Sequence, residues 1–327
     1  LYAQYMKNTK MLNLKSNENI KQFLKTCHEL KPSNLVISDV KWKYLVRSVV
    51  RGKNILMVGP TGCAKTLAAQ TVANIVGKPD NFFYFNLGST QDARSALIGN
   101  THFNKQTGTV FNESTFVKAI KTPDAIILLD EISRAHHDAV NILMTVLDPI
   151  QRYLRLDEKE DNELVKVADG VTFIATANIG QGYTATRIMD RALLDRFPVK
   201  VEMNPLDKND EYNLMVDRFD IKNEEIKKTL LSIVEIATHT RDQIKIEDGK
   251  LTNFLSTRSV VEMTELLIDG FELIEIAENA IYPNFAAEGG ADSERVYIKQ
   301  LVQKYVPNYE DDTLINDPLS KIASSNF

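Results

Sequence analysis

The apolar run Ile55, Leu56, Met57 and Val58 feeds directly into Gly59, Pro60, Thr61, Gly62, Cys63, Ala64, Lys65 and Thr66, and a helix-compatible stretch follows from Leu67. A strand, a loop with two glycines, a Lys-Thr pair and a helix, in that order, bring consecutive backbone N–H groups together at a helix N-terminus, where they converge on phosphate. Gly59 and Gly62 permit the tight backbone this needs. Lys65 then supplies a mobile positive charge for β- and γ-phosphates, and Thr66 a hydroxyl for Mg²⁺. The strict form of the pattern has glycine where this chain has Ala64, which is small enough to follow if its φ is negative.

A second apolar run, Ile126 to Leu129, ends on Asp130 and Glu131, 64 residues after Thr66. Two acids at the mouth of a strand are ordinary in themselves. Beside a phosphate loop they acquire distinct tasks: Asp130 holds Mg²⁺ through water, and Glu131 orients and deprotonates an attacking water. Asn178 closes a third apolar strand, Phe173 to Ala177, where an uncharged amide either positions that water or simply forms a turn. Arg191 and Arg196 follow. Guanidinium suits the spread charge of a transferring phosphoryl group, and if these two arginines face outward, the phosphate they touch belongs to a neighbouring subunit. The plainer alternative is an Arg–Asp pair with Asp190 or Asp195. Arg258 precedes Ser259-Val-Val-Glu262, which fits a capping box and a helix start; it either reaches back to the nucleotide or is solvated.

Between these points strand and helix alternate: helix at 67–76, strand at 82–87, helix at 114–121, strand at 125–129, helix at 137–147, strand at 171–176, a helical turn at 191–197 and a strand at 199–203. That rhythm predicts a parallel sheet with helices on both faces, an α/β three-layer αβα core. Ahead of it lies a helical lead-in over 1–37, and the helix that follows, Asp39 to Arg51, carries Trp42, Leu45, Val46, Val49 and Val50 at helical spacing. Its interleaved Lys41, Lys43, Arg47 and Arg51 read as a solvated face. Two insertions interrupt the 38–205 core: 88–108, punctuated by glycines, and 153–170, whose alternation predicts a hairpin. After Pro205 the pattern becomes purely helical, predicting a small all-helical lid over 206–290 and a polar extension over 291–327.

With 327 residues the chain has room for a large core and a second small one. No apolar run is long enough to cross a bilayer and no secretory signal opens the chain, so a soluble, cytoplasmic protein without membrane contact is expected. The first residue is Leu1 rather than Met, as in a trimmed fragment. A net charge of −5 gives no global pull toward nucleic acid, although a ring can still present a local basic channel. Cys27 and Cys63 make no disulfide framework, no Cys/His spacing resembles a zinc motif, and the adjacent His136 and His137 point in different directions on a helix.

Taken together, the motifs resemble ATPases of the AAA+ superfamily, over about 38–283. Within it they resemble the clade of MoxR proteins, CbbQ/NorQ-type activators and the small AAA+ subunit of cobalt chelatase (CobS-like). Gly59 to Thr66 is similar to Walker A, including an Ala before the Lys, Asp130 and Glu131 to Walker B, Asn178 to sensor 1, Arg196 to the arginine finger and Arg258 to sensor 2. The segment 175–186 is similar to the chelatase/NorQ pattern, with Ala185 in place of a Gly. The resemblance implies a P-loop core with helical lid, ATP and Mg²⁺ as cofactors, and a homo-oligomeric, hexameric ring. It implies two insertions facing the pore or a partner, and a remodelled protein substrate or a von Willebrand factor A type partner, in metalloenzyme maturation or metal insertion. Two other readings of the same residues are a nucleic-acid motor resembling McrB and a nucleotide-gated scaffold.

Overall fold

The structure, a computed structural model of the chain, describes residues 16–76, 78–104, 108–157, 159, 163–178, 189–246 and 249–306. The readings of 1–15, 179–186 and 307–327 fall outside the described residues. The described chain divides into two compact units. One comprises the chain to Pro60 and from Ala64 to Asn204, the other Thr61–Cys63 and the chain from Pro205 onward.

The first unit opens with helices α1 (Asn17–Thr26) and α2 (Asp39–Val50). Their apolar spacing buries Phe23, Trp42, Leu45, Val46 and Val49, and the Trp42 indole donates to the Cys27 carbonyl at 2.8 Å. From there the chain runs through β1 (Ile55–Val58), α3 (Lys65–Ile75), β2 (Phe82–Asn86), α4 (Ala93–Leu97), β3 (Gly99–Asn104), β4 (Gly108–Glu113), α5 (Thr115–Lys121), β5 (Ile126–Asp130), α6 (His137–Val146), β6 (Tyr153–Leu156), β7 (Glu163–Lys166), β8 (Thr172–Ala177), α7 (Arg191–Asp195) and β9 (Val199–Glu202).

Five strands form one sheet in the order β2-β5-β8-β1-β9, with every pairing parallel. Parallel sheets must be covered on both faces, so their central strands read as unbroken apolar runs. Accordingly β8 is buried at all six residues and β5 at four of five, whereas edge strand β2 is half-exposed. The fold is an α/β three-layer core with a parallel sheet. The chain leaves β1 for the sheet edge at β2, then returns through β5 and β8 to lie beside β1 again. Reversals of this kind leave a crevice at the carboxyl ends of the strands.

Two details of these elements differ from the sequence reading. Helix α3 begins at Lys65 rather than Leu67, so Lys65 and Thr66 form its first turn. The insertion after β2 is not only loop: β3 and β4 form an antiparallel hairpin running to Glu113. Its residues Asn100 to Phe103 and Thr109 to Asn112 mix polar and aromatic side chains, and that blurs the alternation by which strands are recognised. The segment 153–170 holds the expected antiparallel pair, β6 with β7.

The second unit is helical: α8 (Lys208–Phe219), α9 (Glu224–Ile244), α10 (Thr257–Ile268), α11 (Leu273–Ile276), which continues into a π turn at Ala277–Ile281, and α12 (Glu294–Gln303). Ile298, Leu301 and Val302 of α12 join Leu230, Ile233, Val260 and Met263 in one apolar core. The polar extension read from 291 therefore begins with a helix of this core. Helix α10 starts earlier than the Ser259 capping box suggested: Ser256 is its N-cap and accepts from the Ser259 amide. Ser256 offers a hydroxyl at the right spacing one turn earlier, which leaves Arg258 inside the first turn.

Candidate functional site

Three neighbouring strands, β5, β8 and β1, carry the site at their carboxyl ends. At the end of β1 the Gly59 amide donates to the Ala177 carbonyl of β8 (3.2 Å) and the Met203 amide to the Val58 carbonyl (2.8 Å). Gly59 has φ +155°, and a Cβ on it would lie 1.9 Å from the Met203 carbonyl oxygen, so this turn accepts only glycine. Gly62 also takes a positive φ, +79°. Pro60, Thr61 and Cys63 complete the loop, which closes on Ala64.

Ala64 corrects the sequence reading. Its φ is +55°, in the left-handed region, so alanine follows the glycine geometry by adopting it rather than by avoiding it. Ala64 is the N-cap of α3 and gives it no side-chain cap; this N-terminal end of the helix lacks the Ser, Thr, Asp or Asn that would ordinarily satisfy its first-turn amides.

The Lys65 ammonium is buried and donates to the Gly59 carbonyl (2.9 Å), the Pro60 carbonyl (2.7 Å) and Asn178 Oδ1 (2.9 Å). Asn178, at the end of β8, thus meets Lys65 across the crevice. On β5, Asp130 accepts from the Tyr84 hydroxyl (3.0 Å) and lies 3.4 Å from the Thr66 hydroxyl, both through Oδ2. Its Oδ1 accepts from the Thr176 hydroxyl, and the same hydroxyl takes the Glu131 amide at 3.0 Å. A single buried threonine on β8 therefore orders both acids. Burial, and then the Asp130 carboxylate against its hydroxyl, push the Tyr84 pKa up.

Glu131 turns the chain sharply, with φ +55°. Its carboxylate lies over Gly88, where a Cβ would come within 2.4 Å of Oε2, and 3.6 Å from Arg134 Nη1. Non-glycine residues in the left-handed region cost stability and cluster at working sites; here two, Ala64 and Glu131, face one crevice. Sequence reading missed Thr176, Tyr84, Gly88 and Arg134. Only Thr176 left a trace, as a hydroxyl inside the apolar run Phe173 to Ala177.

Arg191 opens α7 and is exposed. Arg196 ends that helix; its Nε donates to the Met144 carbonyl and its Nη1 to the Ala192 carbonyl, both at 2.7 Å. Its acidic neighbour is Asp148, 3.6 Å from Nη2, not the Asp190 or Asp195 read from sequence. Asp190 instead caps α7 by accepting from the Ala192 amide. Arg258 is exposed on α10 of the second unit, and Leu67 lies in α3. His136 caps α6 through the Asp138 amide, and His137 pairs with Asn141.

Thr66 and Asp130 offer hard oxygens side by side, the donor type Mg²⁺ takes when phosphates supply other ligands. Among the described residues no group of three His, Cys, Asp or Glu side chains forms a cage for a metal by itself. Among them, too, no helix is long and apolar enough to cross a membrane.

Residues 54–197, from just before β1 to just past α7, match the family model described as AAA domain (dynein-related subfamily). It is 36% identical over 148 residues to a Thauera aromatica protein named "Putative chaperone BssE", covering 45% of this chain and 49% of that one; the chain thus spans about half the length of this relative. It is 29% identical over 218 residues to an uncharacterised protein of Staphylococcus epidermidis (strain ATCC 12228), covering 65% of this chain and 78% of that one. A solved S. cerevisiae Hsp104-ADP complex superposes with a TM-score of 0.47 at 18% identity, over 65% of this chain and 41% of that one.

Proposed function

We propose that this chain is a Mg²⁺-dependent ATPase of the MoxR-like type, forming a homo-oligomeric, hexameric ring in the cytoplasm that uses hydrolysis to remodel a protein partner. The observation that carries the reading is the meeting of Lys65 with Asn178, and of Thr66 with Asp130, at the carboxyl ends of β1, β8 and β5. The AAA domain match supports nucleotide hydrolysis, and the chaperone name of the Thauera relative supports a protein as the load.

The loop amides and Lys65 bind and orient the triphosphate, whose charged oxygens make stronger acceptors than the neutral carbonyls Lys65 now contacts. Mg²⁺, held by Thr66 and Asp130, supplies Lewis-acid neutralisation of the phosphate oxygens. Glu131 takes a proton from the attacking water as its oxygen bonds to the γ-phosphorus and the bond to the β-phosphate oxygen breaks, giving ADP and phosphate. Asn178 presents its amide to that water, Arg196 and Arg191 supply charge to the neighbouring subunit's phosphate, and Arg258 reports the nucleotide state from the lid. A von Willebrand factor A type partner and metalloenzyme maturation fit this reading as the downstream task.

The test is steady-state phosphate release by the assembled protein. Glu131→Gln should lower turnover by about 10²- to 10⁴-fold while ATP still binds. A Glu131→Gln protein that releases phosphate at the wild-type rate would end the assignment.

A further inference from the structure

Arg196 is held more firmly than a mobile surface arginine. Its guanidinium covers the carbonyl ends of two helices, α6 through Met144 and α7 through Ala192, where a cation also complements the helix dipole. Two of its five N–H groups carry those bonds, and Nη2 faces Asp148 at 3.6 Å.

Asp148 is itself fixed. Its Oδ1 accepts from the Ile150 and Gln151 amides, each at 2.9 Å, closing the turn after α6, and this leaves Oδ2 aimed at Arg196. The backbone on both sides of the junction is tied to the sheet by one side chain. Buried Asn54, next to β1, donates from Nδ2 to the Leu147 carbonyl (2.8 Å) and to the Arg196 carbonyl (3.0 Å).

We infer that Asp148, braced by Asn54, is a positioning residue that sets the Arg196 guanidinium for the phosphate of an adjoining copy of the chain. The inference rests on the proposed trans role of Arg196. None of these contacts serves the chain's own crevice: Asp148 reaches neither Lys65 nor Asp130, and its carboxylate oxygens are divided between the turn and the arginine. A charge this tightly oriented lowers the cost of ordering a flexible side chain at the moment of reaction.

Asp148→Asn keeps an acceptor for the turn and removes the charge facing Arg196. In the assembled protein it should lower kcat about tenfold, the scale of one charged contact, with KM for ATP unchanged. Adding it to Arg196→Ala should cost nothing further. The decisive readout is subunit mixing. An Asp148→Asn subunit has an intact site, and a Lys65→Ala subunit has an intact, correctly held Arg196. Mixed assemblies should therefore turn over faster than the two parents summed, a rescue that damage to the variant's own nucleotide site would not show. Asn54→Ser, melting as wild type, should behave the same way and serves if Asp148→Asn does not fold. Wild-type kcat in Asp148→Asn alongside a dead Arg196→Ala, or no gain on mixing, overturns the inference. Wild-type turnover in Arg196→Ala alone instead overturns the reading beneath it.

Discussion

Two residues at the crevice each make a prediction. Ala64 sits at φ +55° where glycine is the unstrained choice, so Ala64→Gly should stabilise the protein by about 1 kcal/mol in urea unfolding, with nucleotide affinity retained. Thr176 holds Asp130 and the Glu131 amide with one hydroxyl. Thr176→Val, nearly the same shape, should reduce Mg²⁺-dependent turnover by about 10- to 100-fold, the usual cost of losing a partner that orients a metal-binding carboxylate. The Gln151 and Ile150 amides, and then Arg196, hold the Asp148 carboxyl below its ordinary range. Its folded pKa is depressed, so its stabilisation is complete above about pH 4 and is lost as pH falls through the lowered value. The melting difference between wild type and Asp148→Asn should accordingly be constant from pH 8 to 5 and shrink in stronger acid. Lys65, Thr66, Asp130 and Asn178 were legible from sequence because each sits at a fixed offset from a recognisable apolar run. Thr176, Tyr84 and Gly88 were not. Their contacts cross strands, and strand neighbourhood is a property of topology rather than of spacing.

At the scale of elements, the sheet was readable and its trimmings were not. Unbroken apolar strands such as β5 and β8 announce a sheet covered on both faces, whereas the β3–β4 hairpin carries Phe103 at 76% exposure and gives no apolar face to read. Helix α10 starts about a turn earlier than read, because Ser256 and Ser259 both offer a capping hydroxyl. The second unit also hides an ion pair that no sequence pattern flagged. Arg241 on α9 grips the fully buried Glu211 of α8 with two bonds of 2.9 Å and donates from Nε to the Leu255 carbonyl just ahead of α10. Removing one partner strands the other's charge, so Arg241→Ala should cost about 3–5 kcal/mol of this unit's stability in denaturant unfolding. Glu211→Leu combined with Arg241→Met should cost far less than the two single changes summed, because a matched apolar replacement leaves no buried charge.

Across the whole molecule, one reversal of chain direction in the strand order gathers residues more than a hundred positions apart. Lys65 and Asn178 meet because β1 lies beside β8, a neighbourhood that the alternation of strands and helices leaves open and the order of the sheet supplies. The account stands on the claim that this crevice holds a nucleoside triphosphate through Lys65. Titration calorimetry of ATP with Mg²⁺ against wild type and Lys65→Ala, both melting alike, tests it most directly. The account predicts one site per chain in the wild type and an affinity loss of about a hundredfold in the variant; equal affinity in the two proteins would contradict it.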